Sequence, residues 1–281
     1  MLSEYRERRI FTTLIGAEDL AALSPPEVRV FDCRFDLADA DSGGRRYLEG
    51  HIPGATYLHL NIDLSGHVEP GRTGRHPLPG RATFEALLTA HGVTDETQVV
   101  AYDDMGGMFA ARLWWMVRWA GHRAVAVLDG GYQAWLEREG THTSSDSTSA
   151  PPVPPPMSMH QVREHVEAGT RTLLDARASD RFRGENETID PVAGHIAGAL
   201  SAPFQGNLGD DGRFLEPVAL RHRFNALLTD GGGKPVVCYC GSGVTATHNV
   251  LAMVHAGMPE PALYPGSWSE WITDPGNPIA T

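Results

Sequence analysis

The chain has 281 residues, enough for one large domain or two ordinary ones. Its formal charge of −12 and pI near 5.5 argue against nucleic acid or an anionic membrane surface as a partner. Three cysteines make no disulfide framework, no apolar run reaches the length of a membrane span, and the charged start Met1–Arg9 is no secretory h-region. The expected location is therefore a reducing cytoplasm.

In chain order, Val30-Phe31-Asp32-Cys33-Arg34 gives the first strand signal, and the turn Gly50-His51-Ile52-Pro53-Gly54-Ala55 follows. Arg81 to Leu88 is amphipathic and predicts a helix packed on one face. Val99-Val100-Ala101-Tyr102 reads as another strand. Phe109 to Trp119, apolar nearly all round, reads as a buried helix. Leu128 to Trp135 (Leu-Asp-Gly-Gly-Tyr-Gln-Ala-Trp) closes this half. Thr141 to Ser149 is then almost all Ser, Thr and Asp, and a proline-rich run from Pro151 to Pro156 continues it, the composition of a semi-rigid spacer.

Beyond the spacer the same blocks return in the same order. Leu173-Leu174-Asp175-Ala176-Arg177 matches the first strand end, and Gly194-His195-Ile196-Ala197-Gly198-Ala199 matches the turn. Val236-Val237-Cys238-Tyr239 matches the second strand, and Leu263 to Trp271 matches the closing block. The chain is thus a duplication: one domain over 1–140, a Ser/Thr/Pro-rich linker over 141–157, and a second domain over 158–281. Fully apolar strands alternating with helices imply an α/β fold, each domain a mostly parallel sheet flanked by helices on both faces.

Ligands bind such sheets beyond the carboxyl ends of the strands, and there the two halves differ. Cys240 follows the strand Val236–Tyr239 and opens the small-residue loop Cys240-Gly241-Ser242-Gly243-Val244-Thr245, which runs into a helix. Amides curled around one point at a helix N-terminus favour an anion, so a thiol there ionises more readily than a free one. With the tyrosines aligned, the residue opposite Cys240 is Asp103, which is no sulfur nucleophile, so the first domain reads as catalytically silent. The same symmetry assigns structural work to features present in both halves: His51 and His195, Arg177 with its mate Arg34, and Trp268 and Trp271. Cys33 and Cys238 read as core residues, and no metal site is completed around them.

Together these motifs resemble the two-domain sulfurtransferases of the rhodanese family, over essentially the whole chain. The Cys240-to-Ala246 loop is similar to the form typical of the 3-mercaptopyruvate-using branch, whereas the thiosulfate-using branch carries Arg and Lys where this chain has Gly241 and Ser242. The resemblance implies a ping-pong sulfurtransferase without cofactor or metal. Cys240 would take sulfur from a small-molecule donor as a persulfide and pass it to cyanide or a thiol, with thioredoxin a candidate acceptor. Amides of Gly241, Gly243, Val244 and Thr245 would hold the sulfur anion, and the Ser242 hydroxyl would serve the pyruvate enolate, alone or relayed through a histidine. By the same resemblance His76 is that histidine, with Asp63 as its partner. Arg181 matches the family's substrate-binding arginine, suited to a bidentate carboxylate contact. A second arginine is typical nine residues later, where this chain has Asp190; Arg183 is the candidate substitute.

Three alternatives follow from the same residues. Thiosulfate could be the donor, or the chain could be a non-enzymatic persulfide carrier or docking module. Cysteine phosphatases place an arginine at the end of such a loop; the equivalent residue here is Ala246, which disfavours phosphoryl chemistry.

Overall fold

The computed structural model describes residues 9–138, 152–229 and 232–281. The first half forms strands β1 (Leu14–Ile15), β2 (Val28–Asp32), β3 (Thr56–Tyr57), β4 (Gln98–Tyr102) and β5 (Val125–Leu128). Between them lie helices α1 (Ala17–Ala22), α2 (Ser42–Glu49), α3 (Arg81–Ala90) and α4 (Ala110–Trp119), and α5 (Gly131–Glu137) follows β5. The sheet is parallel throughout, in the order β1-β5-β4-β2-β3.

Alternation along the central strand shows why both faces are covered. Val99 and Ala101 of β4 face a core that includes Phe84 and Leu88 of α3 and the apolar wall of α4. Val100 and Tyr102 face the opposite layer, against Ala17 and Leu20 of α1 and the ring of Tyr132. A strand buried on both sides reads as a near-continuous apolar run, as Val99-Val100-Ala101 does; Gln98 at its start is also buried and bonds the Phe11 backbone.

The second half repeats the plan with α6 (Met159–Ala168), β6 (Thr172–Asp175), α7 (Ser179–Phe182), β7 (His195–Ile196), β8 (Leu200–Ser201) and α8 (Pro217–Leu228). It ends with β9 (Val236–Tyr239), α9 (Ala246–His255), β10 (Ala262–Leu263), α10 (Ser267–Trp271) and β11 (Ile279–Ala280). The parallel sheet runs β10-β9-β6-β8, and β7 pairs with β11 as a small antiparallel ribbon. Helix α6 opens with a capping box, Ser158 and Gln161 each bonding the other's backbone. Cys238 points into the core, where burial pushes its thiol far up, and Cys33 is buried likewise.

One apolar core joins the halves, because α4 and α9 pack against each other and contribute Leu113, Trp114, Val250 and Leu251 to it. Arg118 of α4 adds a buried two-pronged ion pair to Glu260, at 2.7 and 2.8 Å. Of the linker expected over 141–157, residues 141–151 lie outside the described residues. The remainder is not a free spacer: Val153 packs on the shared core, Met157 is buried, and its N–H donates to Leu263 O at 2.8 Å.

Candidate active site

The Asp-x-Arg signatures close each half in the same way. Arg34 forks onto Asp32 and donates to Gly50 O at 2.7 Å; Arg177 forks onto Asp175 and donates to Gly194 O at 2.7 Å. The turn histidines are equally symmetric. His51 Nδ1 meets Tyr47 O and stacks on Tyr47, while His195 Nδ1 meets Phe182 O and stacks on Phe182. Trp268 and Trp271 are fully buried. These residues build the scaffold under the cleft.

Cys240 follows β9 and borders a cavity of about 150 Å³ between the halves. The first half contributes Leu37, Arg75, Met108 and Phe109 to its lining; the second contributes Arg177, Arg181 and the Cys loop. Cys240 is 2% exposed and reaches solvent space through this cavity. The Gly243 N–H points at Cys240 Sγ at 3.2 Å. Gly243 must be glycine: its φ is +77°, and a Cβ would overlap the Pro265 carbonyl. Among the described residues, nothing accepts from the amides of Gly241, Ser242, Val244 and Thr245.

The loop is held from behind by α10. Trp268 and Ser269 N–H donate to the Cys240 and Gly241 carbonyls, both at 2.9 Å. Ser267 Oγ accepts the Cys240 N–H at 3.0 Å and donates to Tyr264 O at 2.9 Å. Ser267 is wholly buried with φ +56°, a strained conformation for a residue with a Cβ. The first half has Gly131 at this position, at φ +58°. That serine-for-glycine difference was a readable sign that the position has gained a side-chain role.

Ser242 and His76 are brought together, Oγ to Nδ1 at 2.7 Å, across the boundary between the halves. The expected third member is displaced. His76 Nε2 bonds Asn61 Oδ1 at 3.0 Å, whereas Asp63 turns its carboxylate to the His59 N–H at 2.7 Å and closes its own loop. Since Asn61 Oδ1 only accepts, Nε2 carries the ring proton and Nδ1 accepts the Ser242 O–H. Burial, then the Arg112 and Arg75 charges, hold His76 down to about 3, so the ring is neutral. It therefore fixes the direction of the hydroxyl and stores no proton.

Arg181 borders the cavity, clamped by Glu187 through Nε at 3.1 Å and Nη2 at 2.9 and 3.0 Å, with Asp190 3.2 Å from Nη2. Arg183 does not substitute for a second arginine: it is half exposed, pairs with Glu185 at 2.7 and 2.8 Å, and does not line the cavity. Asp190 points inward and joins Arg181 to Arg75 of the first half. Arg112, a member of the expected core helix, is fully buried and has no carboxylate partner among the described residues. It donates to Gly243 O, Leu64 O and His76 O, each at 3.0 Å, and ties the His76 segment to the Cys loop. Asn61, Arg75, Arg112 and Ser267 were missed by sequence reasoning; only Ser267 carried a local signal.

A family model for the rhodanese-like domain matches residues 17–138 and 158–274. The chain is 51% identical over 280 residues to a probable 3-mercaptopyruvate sulfurtransferase of Pseudomonas aeruginosa, covering 95% of this chain and 98% of that one. It is 35% identical to the thiosulfate sulfurtransferase of Bos taurus, covering 97% and 94%. Among solved structures it is similar to the 3-mercaptopyruvate sulfurtransferase from Leishmania major, with TM-score 0.75, 31% identity, and 92% and 74% of the two chains covered. With two matching domains and relatives spanning nearly its whole length, the chain belongs to the rhodanese family and is a two-domain sulfurtransferase.

Proposed function

We propose that Cys240 carries the sulfur and that the donor is 3-mercaptopyruvate. The Cys240 thiolate attacks the donor sulfur; an S–S bond forms, the C–S bond breaks, and its electron pair leaves as the pyruvate enolate. The enolate takes up the proton shed by the new persulfide S–H, relayed by the Ser242 hydroxyl as it turns from His76 Nδ1, so the products are pyruvate and an anionic persulfide. Cyanide or a thiol, thioredoxin among the candidates, then takes the outer sulfur and returns the Cys240 thiolate. A cysteine that must stay reduced fits a reducing compartment, and Cys33, Cys238 and Cys240 are all free thiols. No described helix is long and apolar enough to cross a membrane.

The observation that carries this reading is the Ser242–His76 pair in the Cys240 loop, beside a cavity whose three lining arginines are each paired with a buried carboxylate behind them. Arg75, Arg177 and Arg181 face Asp175, Glu187 and Asp190. A compact dianion such as thiosulfate gains little from so balanced a set, whereas a donor with one carboxylate and a ketone can use single open N–H groups. Steady-state rates with each donor, cyanide as acceptor, test this. The expected outcome is a higher kcat/KM for 3-mercaptopyruvate; a higher one for thiosulfate reverses the donor assignment.

A further inference from the structure

We propose that Arg75 and Arg181 together bind the donor carboxylate, and that Asp190 positions the two guanidinium groups. The inference rests on the reading of 3-mercaptopyruvate as donor.

Both side chains line the cavity that holds Cys240. Arg75 Nη1 is engaged by Asp190, and Arg181 gives Nε and Nη2 to Glu187 and Asp190. Arg75 Nη2 and Arg181 Nη1 have no acceptor among the described residues, and they converge. Arg75 Nη2 lies 2.9 Å, and Arg181 Nη1 3.7 Å, from the point where a Cβ on Gly241 would sit. Gly241 is the residue after the nucleophile, and its missing side chain is what lets both guanidinium groups come down over the loop. Two N–H edges from two arginines, aimed at one place beside the reactive sulfur, match the two oxygens of a carboxylate.

The supports are built in. The Arg75 N–H donates to Ser269 Oγ at 3.1 Å, which fixes the residue to the same α10 segment that holds the Cys loop. A Cβ on Gly74 would overlap Ser269 Oγ, 2.8 Å away, so the approach is close. Burial lowers the Arg75 guanidinium, and Cys240 is the largest charge drawing it back up. Asp190, its carboxylate 3% exposed, holds one nitrogen of each arginine and leaves the other directed at the cavity. A position that would place a cation on Arg181 instead places the anion that gathers two cations from different halves.

The test is steady-state kinetics on full-length Arg75→Gln, Arg75→Lys and Arg181→Gln, with cyanide as acceptor and intact-mass measurement of the persulfide on each. Losing one charged hydrogen bond should raise KM for 3-mercaptopyruvate about tenfold to a hundredfold in Arg75→Gln, with kcat changed less than about threefold. Arg75→Lys keeps the charge without the fork and should fall between it and wild type. Asp190→Asn should raise KM less than either arginine loss. An unchanged KM in Arg75→Gln, with wild type still loading sulfur from 3-mercaptopyruvate, overturns this inference alone. Failure of wild type to load from that donor overturns the donor reading and this inference with it.

Discussion

The loops after β4 and β9 are one device used in two ways. Asp103 places its carboxylate inside its own loop, where Oδ1 accepts from Met105 and Gly107 N–H at 2.9 Å and Oδ2 from Phe109 and Ala110 N–H at 2.7 and 2.8 Å. Cys240 begins the same curl with a shorter side chain, and its sulfur receives one amide while others remain open. The Asp103 loop thus supplies a template for the proposed Cys240 site: a carboxylate held by converging amides, at the depth the outer atom of a persulfide on Cys240 would reach. The pairing extends to the interface. Arg112 donates to Gly243 O, and His248, its counterpart on α9, meets Gly106 O at 2.9 Å, so each half braces the other's loop.

The sharpest way to break this comparison is to make the loops identical. Cys240→Asp should fold, its carboxylate taking the open amides, and should lose sulfur transfer by about a thousandfold or more in a cyanide assay. Thermal unfolding well below wild type would show that the second loop does not accept the guest. Ser242→Ala comes next: removing a general acid–base hydroxyl should cost about a hundredfold in kcat, read in the same assay. A loss under about threefold would separate the Ser242–His76 pair from the chemistry.

The reverse experiment concerns stability. Asp103→Asn keeps the shape but leaves one oxygen to serve two of four buried amides, so urea unfolding should show a loss of about 2–4 kcal/mol. Acidity acts on the interface more gradually. Burial lowers His76 to about 3 and His248 and His255 to about 4. Each binds its proton more readily when unfolded, so stability holds above about pH 6.5 and falls as pH drops from there toward the folded values, by about 1.4 kcal/mol per pH unit per histidine. Denaturation midpoints from pH 7.5 to 4.5 measure this, and His248→Asn should shallow the slope. The smallest effect is Ser267→Gly, which copies Gly131. Relief of about 1 kcal/mol of backbone strain should roughly offset the lost bond to the Cys240 amide, while turnover falls because the loop is less fixed.

How much of this was legible follows from where each signal lives. The duplication exposed Asp32 with Arg34, Asp175 with Arg177, and Cys240 against Asp103, because strand ends and their turns keep fixed spacing. The His76–Ser242 pair came from motif resemblance and meets in space although 166 positions separate it. Its third member was misplaced by two residues, since an irregular loop has no periodicity to say which of Asn61 and Asp63 turns inward. Arg75 was hidden for another reason: nothing local tells that one half's loop reaches over the other half's Cys240 loop. Arg112 was concealed by its surroundings, a charged residue in a helix that otherwise reads as core.

The central claim is that Cys240 alone receives the sulfur in the open copy of a shared anion loop. Intact-mass spectrometry of wild type and Cys240→Ser after one equivalent of 3-mercaptopyruvate, with peptide mapping, tests it directly. One added sulfur atom is expected, on the Cys240 peptide of wild type only, discharged by cyanide as thiocyanate. Sulfur on the Cys33 or Cys238 peptide, or on the Cys240→Ser protein at the wild-type level, would contradict it.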